Sequence, residues 1–131
     1  MSTKIIKATK KNITEAGYLF DLYRQFYKYK SNIKASTNYI KDRINKKDSF
    51  IFLCLYENQP AGFLQLYETF DSLNINKKLI LYDLYVDEKF RRNGIGRKLM
   101  NTAKKLAKSK KIKIVELSTA TNNKKAQALY E

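Results

Sequence analysis

A chain of 131 residues, 44% hydrophobic and 30% charged, has apolar sequence for one core, too little length for two, and a composition unlike that of a disordered segment. Its formal charge of +15 comes from 22 Lys and only 5 Arg, scattered without a basic arm. A nucleic-acid partner is therefore disfavoured, and a solvated surface that also suits an anionic cofactor is the expected reading.

In chain order, residues 4–8 read as a first strand. Asn12 with Glu15 three residues later has the spacing of a capping box, and Ala16, Leu19, Phe20, Tyr23, Phe26 and Tyr27 recur at helical spacing, which predicts a helix to about Tyr29. Ser36 opens a shorter helix to about Asn45. Residues 49–56 are a continuous apolar strand holding Cys54, the only cysteine, as a buried thiol that has no disulfide partner. A turn at Glu57, Asn58, Gln59 and Pro60 reverses the chain into a strand over residues 61–70 and completes a hairpin. A polar loop over residues 71–76 precedes a strand over residues 79–86. A glycine turn, a helix with Ile95, Leu99, Met100, Ala103, Leu106 and Ala107 on one face, a strand over residues 112–117 and a last helix from about Asn123 follow. This order predicts a three-layer, mixed α/β arrangement.

Two absences narrow the chemistry. Without histidine, Ser-His-Asp and Cys-His nucleophiles are excluded and no metal site is expected. No apolar run approaches the roughly 18 residues of a membrane span, and residues 1–7 lack a signal-peptide core, so a cytoplasmic protein with no membrane partner is expected.

The informative segment begins at Leu84, Tyr85 and Val86 and runs through Arg91, Arg92, Asn93, Gly94, Ile95, Gly96 and Arg97. Gly94 and Gly96 are two of only four glycines. At a strand-to-helix turn, glycine supplies positive φ and lets an anion approach the backbone, while the helix start adds N–H groups and its dipole. The segment is a candidate diphosphate-binding turn. It lacks the third glycine of a dinucleotide fold and the Gly-Lys-Ser/Thr ending of a triphosphate loop.

These residues resemble the signature of the GCN5-related N-acetyltransferase superfamily: Arg or Gln, two residues, Gly, one residue, then Gly or Ala, matched by Arg91, Gly94 and Gly96. A second signature is matched by Asn123, Ala126, Leu129 and Tyr130. Residues 61–67 and 82–86, with Thr119 and Ala120, look like the branch of small-amine and polyamine acetyltransferases. The resemblance implies an α/β, three-layer fold whose central, mostly antiparallel sheet splays at an acetyl-CoA cleft, in one domain over residues 1–131. Members of the family normally continue with two further strands. Those C-terminal strands are absent from this chain, so a truncated domain is expected, and an exposed edge beside residues 112–117 favours a homodimer.

The resemblance also implies roles. Acetyl-CoA would be the donor and an amine-bearing molecule the acceptor, with direct transfer to a primary amine of a small molecule or polypeptide. The backbone at Leu84, Tyr85 and Val86 would hold the pantetheine arm, and the amides from Arg92 to Arg97 the pyrophosphate. Asn123 would cap its helix and contact the cofactor; the Tyr130 hydroxyl would protonate the departing thiolate. Asp83 is a candidate base, but several members of the branch carry a Glu one position earlier, where this chain has Tyr82. Base, substrate anchor and structural acceptor stay open for Asp83. Phe63, Gln65, Tyr67 and the loop near Asp71 are expected acceptor contacts. The alternative is a non-catalytic acetyl-CoA-binding or basic nucleic-acid-binding module.

Overall fold

The structure, a computed structural model, describes residues 2–118; the expected last helix, with Asn123 and Tyr130, lies outside the described residues. Five strands form one sheet in the order β1-β2-β3-β4-β5: β1 (Thr3–Lys7), β2 (Phe50–Tyr56), β3 (Gln59–Asp71), β4 (Asn76–Val86) and β5 (Val115–Leu117). All neighbours are antiparallel except β4 and β5, which run parallel. Helices α1 (Ile13–Phe26) and α2 (Ile33–Lys46) lie in sequence between β1 and β2, and α3 (Ile95–Ser109) lies between β4 and β5.

Period-two patterning splits the core in two. Leu64, Leu66, Leu79, Leu81, Leu84 and Val86 point to one face and meet Ile95, Leu99, Ala103 and Ala107 of α3. Ile51, Leu53, Phe63 and Tyr85 point to the other and meet Ala16 and Leu19 of α1 and Ile40 of α2. The result is the expected three layers, with helices on both faces of a half-buried sheet. Gly62 permits the α3 layer to sit this close: a Cβ there would lie 3.0 Å from the Tyr85 carbonyl oxygen and 3.1 Å from the Ile95 side chain.

Several local expectations are corrected. The reciprocal capping box forms between Thr9 and Asn12, around a 3-10 turn, and Asn12 makes no side-chain cap on α1. Helix α1 stops at Phe26 because the chain turns left-handed at Lys28, φ +72°. Helix α2 starts at Ile33, capped by the Asn32 side chain accepting from the Ala35 N–H at 3.1 Å. Ser36 is buried instead, donating to Asp21 at 2.8 Å. The first hairpin turns on Glu57 and Asn58 alone, both at positive φ (49° and 68°), as a two-residue hairpin loop requires. Pro60 is already in the β3 ladder, opposite Leu55.

Candidate active site

The turn after β4 is built almost entirely by backbone. Arg92 and Gly94 adopt φ of +69° and +72°, and the Asn93 amide donates to the Phe90 and Arg91 carbonyls at 2.8 and 3.3 Å. Gly94 is the N-cap of α3 and offers no side chain, so the amides of Ile95, Gly96 and Arg97 begin a helix without an intrahelical partner. A Cβ at Gly94 would meet nothing within 4 Å. Its glycine therefore keeps open space in front of the helix N-terminus, with Arg92 and Arg97 exposed beside it. Such a cradle fits a diphosphate. The Arg91 side chain turns inward: its Nε–H donates to the Val86 carbonyl at 3.0 Å, and its guanidinium lies 5.4 Å and 5.7 Å from the Tyr85 and Phe26 ring centres. Arg91 thus fastens the turn to the strand end and to α1.

The strand feeding this turn has an open edge. The β4–β5 ladder covers Leu79, Ile80 and Leu81, with Ser118 N–H donating to the Leu81 carbonyl at 2.9 Å. Among the described residues no strand pairs with residues 82–86 on that side, which is the splay expected between the two parallel strands.

At the point where pairing stops, β4 carries a bulge. Gln65 pairs with Asp83 and Leu66 with Leu81, so Tyr82 is the extra residue. Strict alternation would put Asp83 on the α3 face with Leu79 and Leu81. The inserted residue shifts the parity, so that Leu84 and Val86 continue the α3 face and Asp83 turns to the opposite one. There its carboxylate accepts from Gln65 Nε2 at 2.7 Å, and Gln65 Oε1 accepts from Ser49 Oγ at 2.8 Å. Burial pushes the Asp83 carboxyl above its ordinary value, partly opposed by hydrogen bonds from Gln65 and Tyr23 that favour the charged form. A carboxylate so placed can accept a proton or hold a cation.

Asp83 opens into a cleft of about 570 Å³ whose walls include Phe20 of α1, Tyr39 and Arg43 of α2, Tyr67 of β3 and Tyr82 of β4. Phe20 and Tyr39 stack at 5.2 Å, Tyr67 and Tyr82 meet edge-on at 5.1 Å, and the Tyr39 and Tyr67 hydroxyls share a hydrogen bond of 3.0 Å.

Of the residues expected on the acceptor side, Tyr67 lines the cleft, but the others are corrected. Phe63 is wholly buried in the core against α1, and Gln65, also buried, reaches the cleft only through Asp83. Asp71 lies at the β3–β4 tip, bonded to Asn74 at 2.6 Å. The sequence reading missed Tyr39 and Arg43. For Arg43 a signal existed: it is one of five arginines in a chain that uses lysine almost everywhere. The roles expected for Asn123 and Tyr130 fall outside the described residues. Among the described residues no group of side chains could hold a metal ion, and no helix is long and apolar enough to cross a membrane.

Known acetyltransferases share this mixed sheet that opens beside a glycine-capped helix N-terminus. A crystal structure of a probable acetyltransferase superposes with a TM-score of 0.88 at 33% identity, covering 97% of this chain and 85% of that one. The uncharacterized N-acetyltransferase YhfO of Bacillus subtilis is 35% identical over 113 residues, which is 86% of this chain and 76% of that protein. The thialysine N-epsilon-acetyltransferase of Caenorhabditis elegans is 30% identical over 107 residues, 82% of this chain and 66% of that protein. Residues 17–131 match the model of the Acetyltransferase (GNAT) family, and the chain belongs to that family. It is an acetyl-CoA-dependent N-acetyltransferase.

Proposed function

We propose that this chain, acting as one N-acetyltransferase domain, transfers the acetyl group of acetyl-CoA directly to a primary amine held in the cleft at Asp83. The observation that carries the reading is the coincidence, within six residues, of a β4 edge unpaired among the described residues and a bulge that turns Asp83 into an aromatic cleft. The diphosphate of the donor rests on the amides from Arg92 to Arg97, and its pantetheine arm follows Leu84, Tyr85 and Val86. The Val86 carbonyl is already engaged by Arg91, so the remaining backbone groups of that edge carry the arm, and Asn123 adds a contact to the cofactor.

An amine must be neutral to attack the thioester carbonyl. Asp83, its pKa raised by burial, takes the proton or orients the ammonium for its loss. The nitrogen lone pair forms the N–C bond, the C–S bond breaks, the sulfur leaves as a thiolate that Tyr130 protonates, and the proton shed by the acylated nitrogen restores the tyrosine hydroxyl. An amine acceptor agrees with the name of the C. elegans relative, a thialysine N-epsilon-acetyltransferase. The test is thiol release from acetyl-CoA across a panel of small amines and peptides, with mass detection of the acetylated product. Saturable acetyl-CoA binding and transfer to at least one amine are expected. Tight duplex DNA binding with a steep salt dependence and no acetyl-CoA binding would reverse the reading in favour of a basic nucleic-acid module.

A further inference from the structure

The cleft differs in charge from the rest of the surface. None of the described lysines lines it, although the chain has 22. Its carboxylate Glu68 is shared between Lys77 and Lys110 at 3.9 and 3.8 Å, which leaves Asp83 and Arg43 as the negative and positive poles of its lining. Three of the five arginines lay the planar group on an aromatic ring: Arg91 on Tyr85, Arg24 on Tyr29, and Arg43 on Tyr39 with 5.1 Å to the ring centre. Stacking holds the Arg43 fork in one plane along the cleft wall. Its NH1 meets one oxygen of Asp48 at 3.0 Å, and its Nε is buried without a hydrogen-bond partner among the described residues. Asp48 is 40% exposed, and an ion pair of that kind holds weakly. Burial and the Tyr39 hydroxyl push the Tyr67 pKa up, Asp83 adds to that, and Arg43 opposes it, so Tyr67 feels both poles.

We infer that Arg43 recognises a carboxylate on the acceptor, so that the amine acetylated in this cleft belongs to an amino-carboxylic acid and not to a simple amine. The inference rests on the transferase reading of the cleft. A guanidinium binds a carboxylate through two parallel N–H donors, which an ammonium cannot do. With Asp83 holding the amine, the two poles fix both ends of a dipolar molecule while the tyrosine rings cover its body.

The test is equilibrium binding, to the protein saturated with CoA, of pairs that differ only by the carboxylate: lysine and cadaverine, ornithine and putrescine, tyrosine and tyramine. In at least one pair the acid should bind about tenfold or more tightly. That ratio should fall towards one in Arg43→Gln and remain low in Arg43→Lys, which keeps the charge without the fork. Asp48→Asn, which releases the guanidinium from its ion pair, should keep or raise it. Equal binding within every pair by the wild type, or a preference that survives both Arg43 substitutions, overturns the proposal. Thiol release with the same six compounds separates the two readings. Acid preference through Arg43 without any acetylation would end the transferase reading alone; acetylation without acid preference would end the carboxylate reading alone.

Discussion

The proposed diphosphate turn and the proposed acceptor cleft are built by opposite strategies. The turn is one contiguous segment whose functional groups are backbone amides, arranged by two left-handed residues and a helix start. The cleft draws side chains from α1, α2, β3 and β4 and depends on a bulge and on the docking of two helices. A donor common to a whole family can be held by backbone, which tolerates change in side chains. The acceptor side is made of side chains on separate elements, which allows one fold to present different clefts.

The largest expected effect tests the backbone half of this contrast. Gly94→Val fills the open space before α3 and forces a β-branched residue to φ +72°. The strain costs about 1–2 kcal/mol of stability, yet acetyl-CoA affinity should fall about 100-fold or more because the lost space is the diphosphate's. Calorimetric titration beside a melting curve checks both. Unchanged affinity in the folded variant would remove the turn from the site.

Next comes the chemistry of the cleft. Asp83→Asn should lower turnover by about 100-fold near neutral pH, with partial recovery at high pH where more amine is neutral, if Asp83 is the base. A raised KM at nearly intact turnover would make it an anchor instead. The same variant has a stability signature. Burial raises the folded-state pKa of Asp83, so its favourable contribution to stability is complete below the unfolded pKa and is lost as pH rises through the folded pKa. Asn never ionises, so Asp83→Asn should melt higher than wild type at pH 7–8 and alike below about pH 4.

A third variant perturbs the cleft from outside. Asp21 is buried and accepts from Ser31 and Ser36 hydroxyls, the Asn32 N–H and the Gln25 amide at 2.6 to 3.0 Å, tying α1 to the start of α2. Burial alone would raise its pKa, but the four donors together hold it below the ordinary value. The stability it confers is present above the unfolded pKa and lost as pH falls through the folded one. Asp21→Ala leaves those donors unmet and should cost about 2–3 kcal/mol. Because α2 carries Tyr39 and Arg43, acceptor KM should rise while acetyl-CoA affinity holds. Equal losses at both sites would show that the two regions are not independent.

The smallest effect sharpens the link between Gln65 and Asp83. Gln65→Leu removes a donor that favours the charged carboxylate, so the acid limb of turnover should move to higher pH, with only a few-fold loss at the plateau. A pH–rate profile reads it directly. An unmoved limb would separate Asp83 from the proton transfer.

The sequence by itself determined what depends on local pattern. Apolar residues at helical spacing announced α1 and α3, because one buried face imposes a period of 3.6 wherever the helix lies, while a continuous apolar run and the turn after it announced β2 and β3. The anion turn was legible because Gly94, Gly96 and the helix start are neighbours along the chain. Local signals were also misread where tertiary contacts took the residue: Ser36 looked like a helix opener until Asp21 claimed its hydroxyl, and Asn12 completed the cap of Thr9 instead of its own helix. Only the tertiary structure decided the acceptor side. Which way Asp83 faces depends on a single inserted residue, Tyr82, whose bulge exists only in the pairing with β3. That Tyr39 and Arg43 line the same cleft as Asp83 depends on how α2 packs, and no pattern within either segment encodes that meeting. Backbone sites are written in consecutive residues; side-chain sites are written in packing, because the groups that meet there are brought together by the burial of other residues.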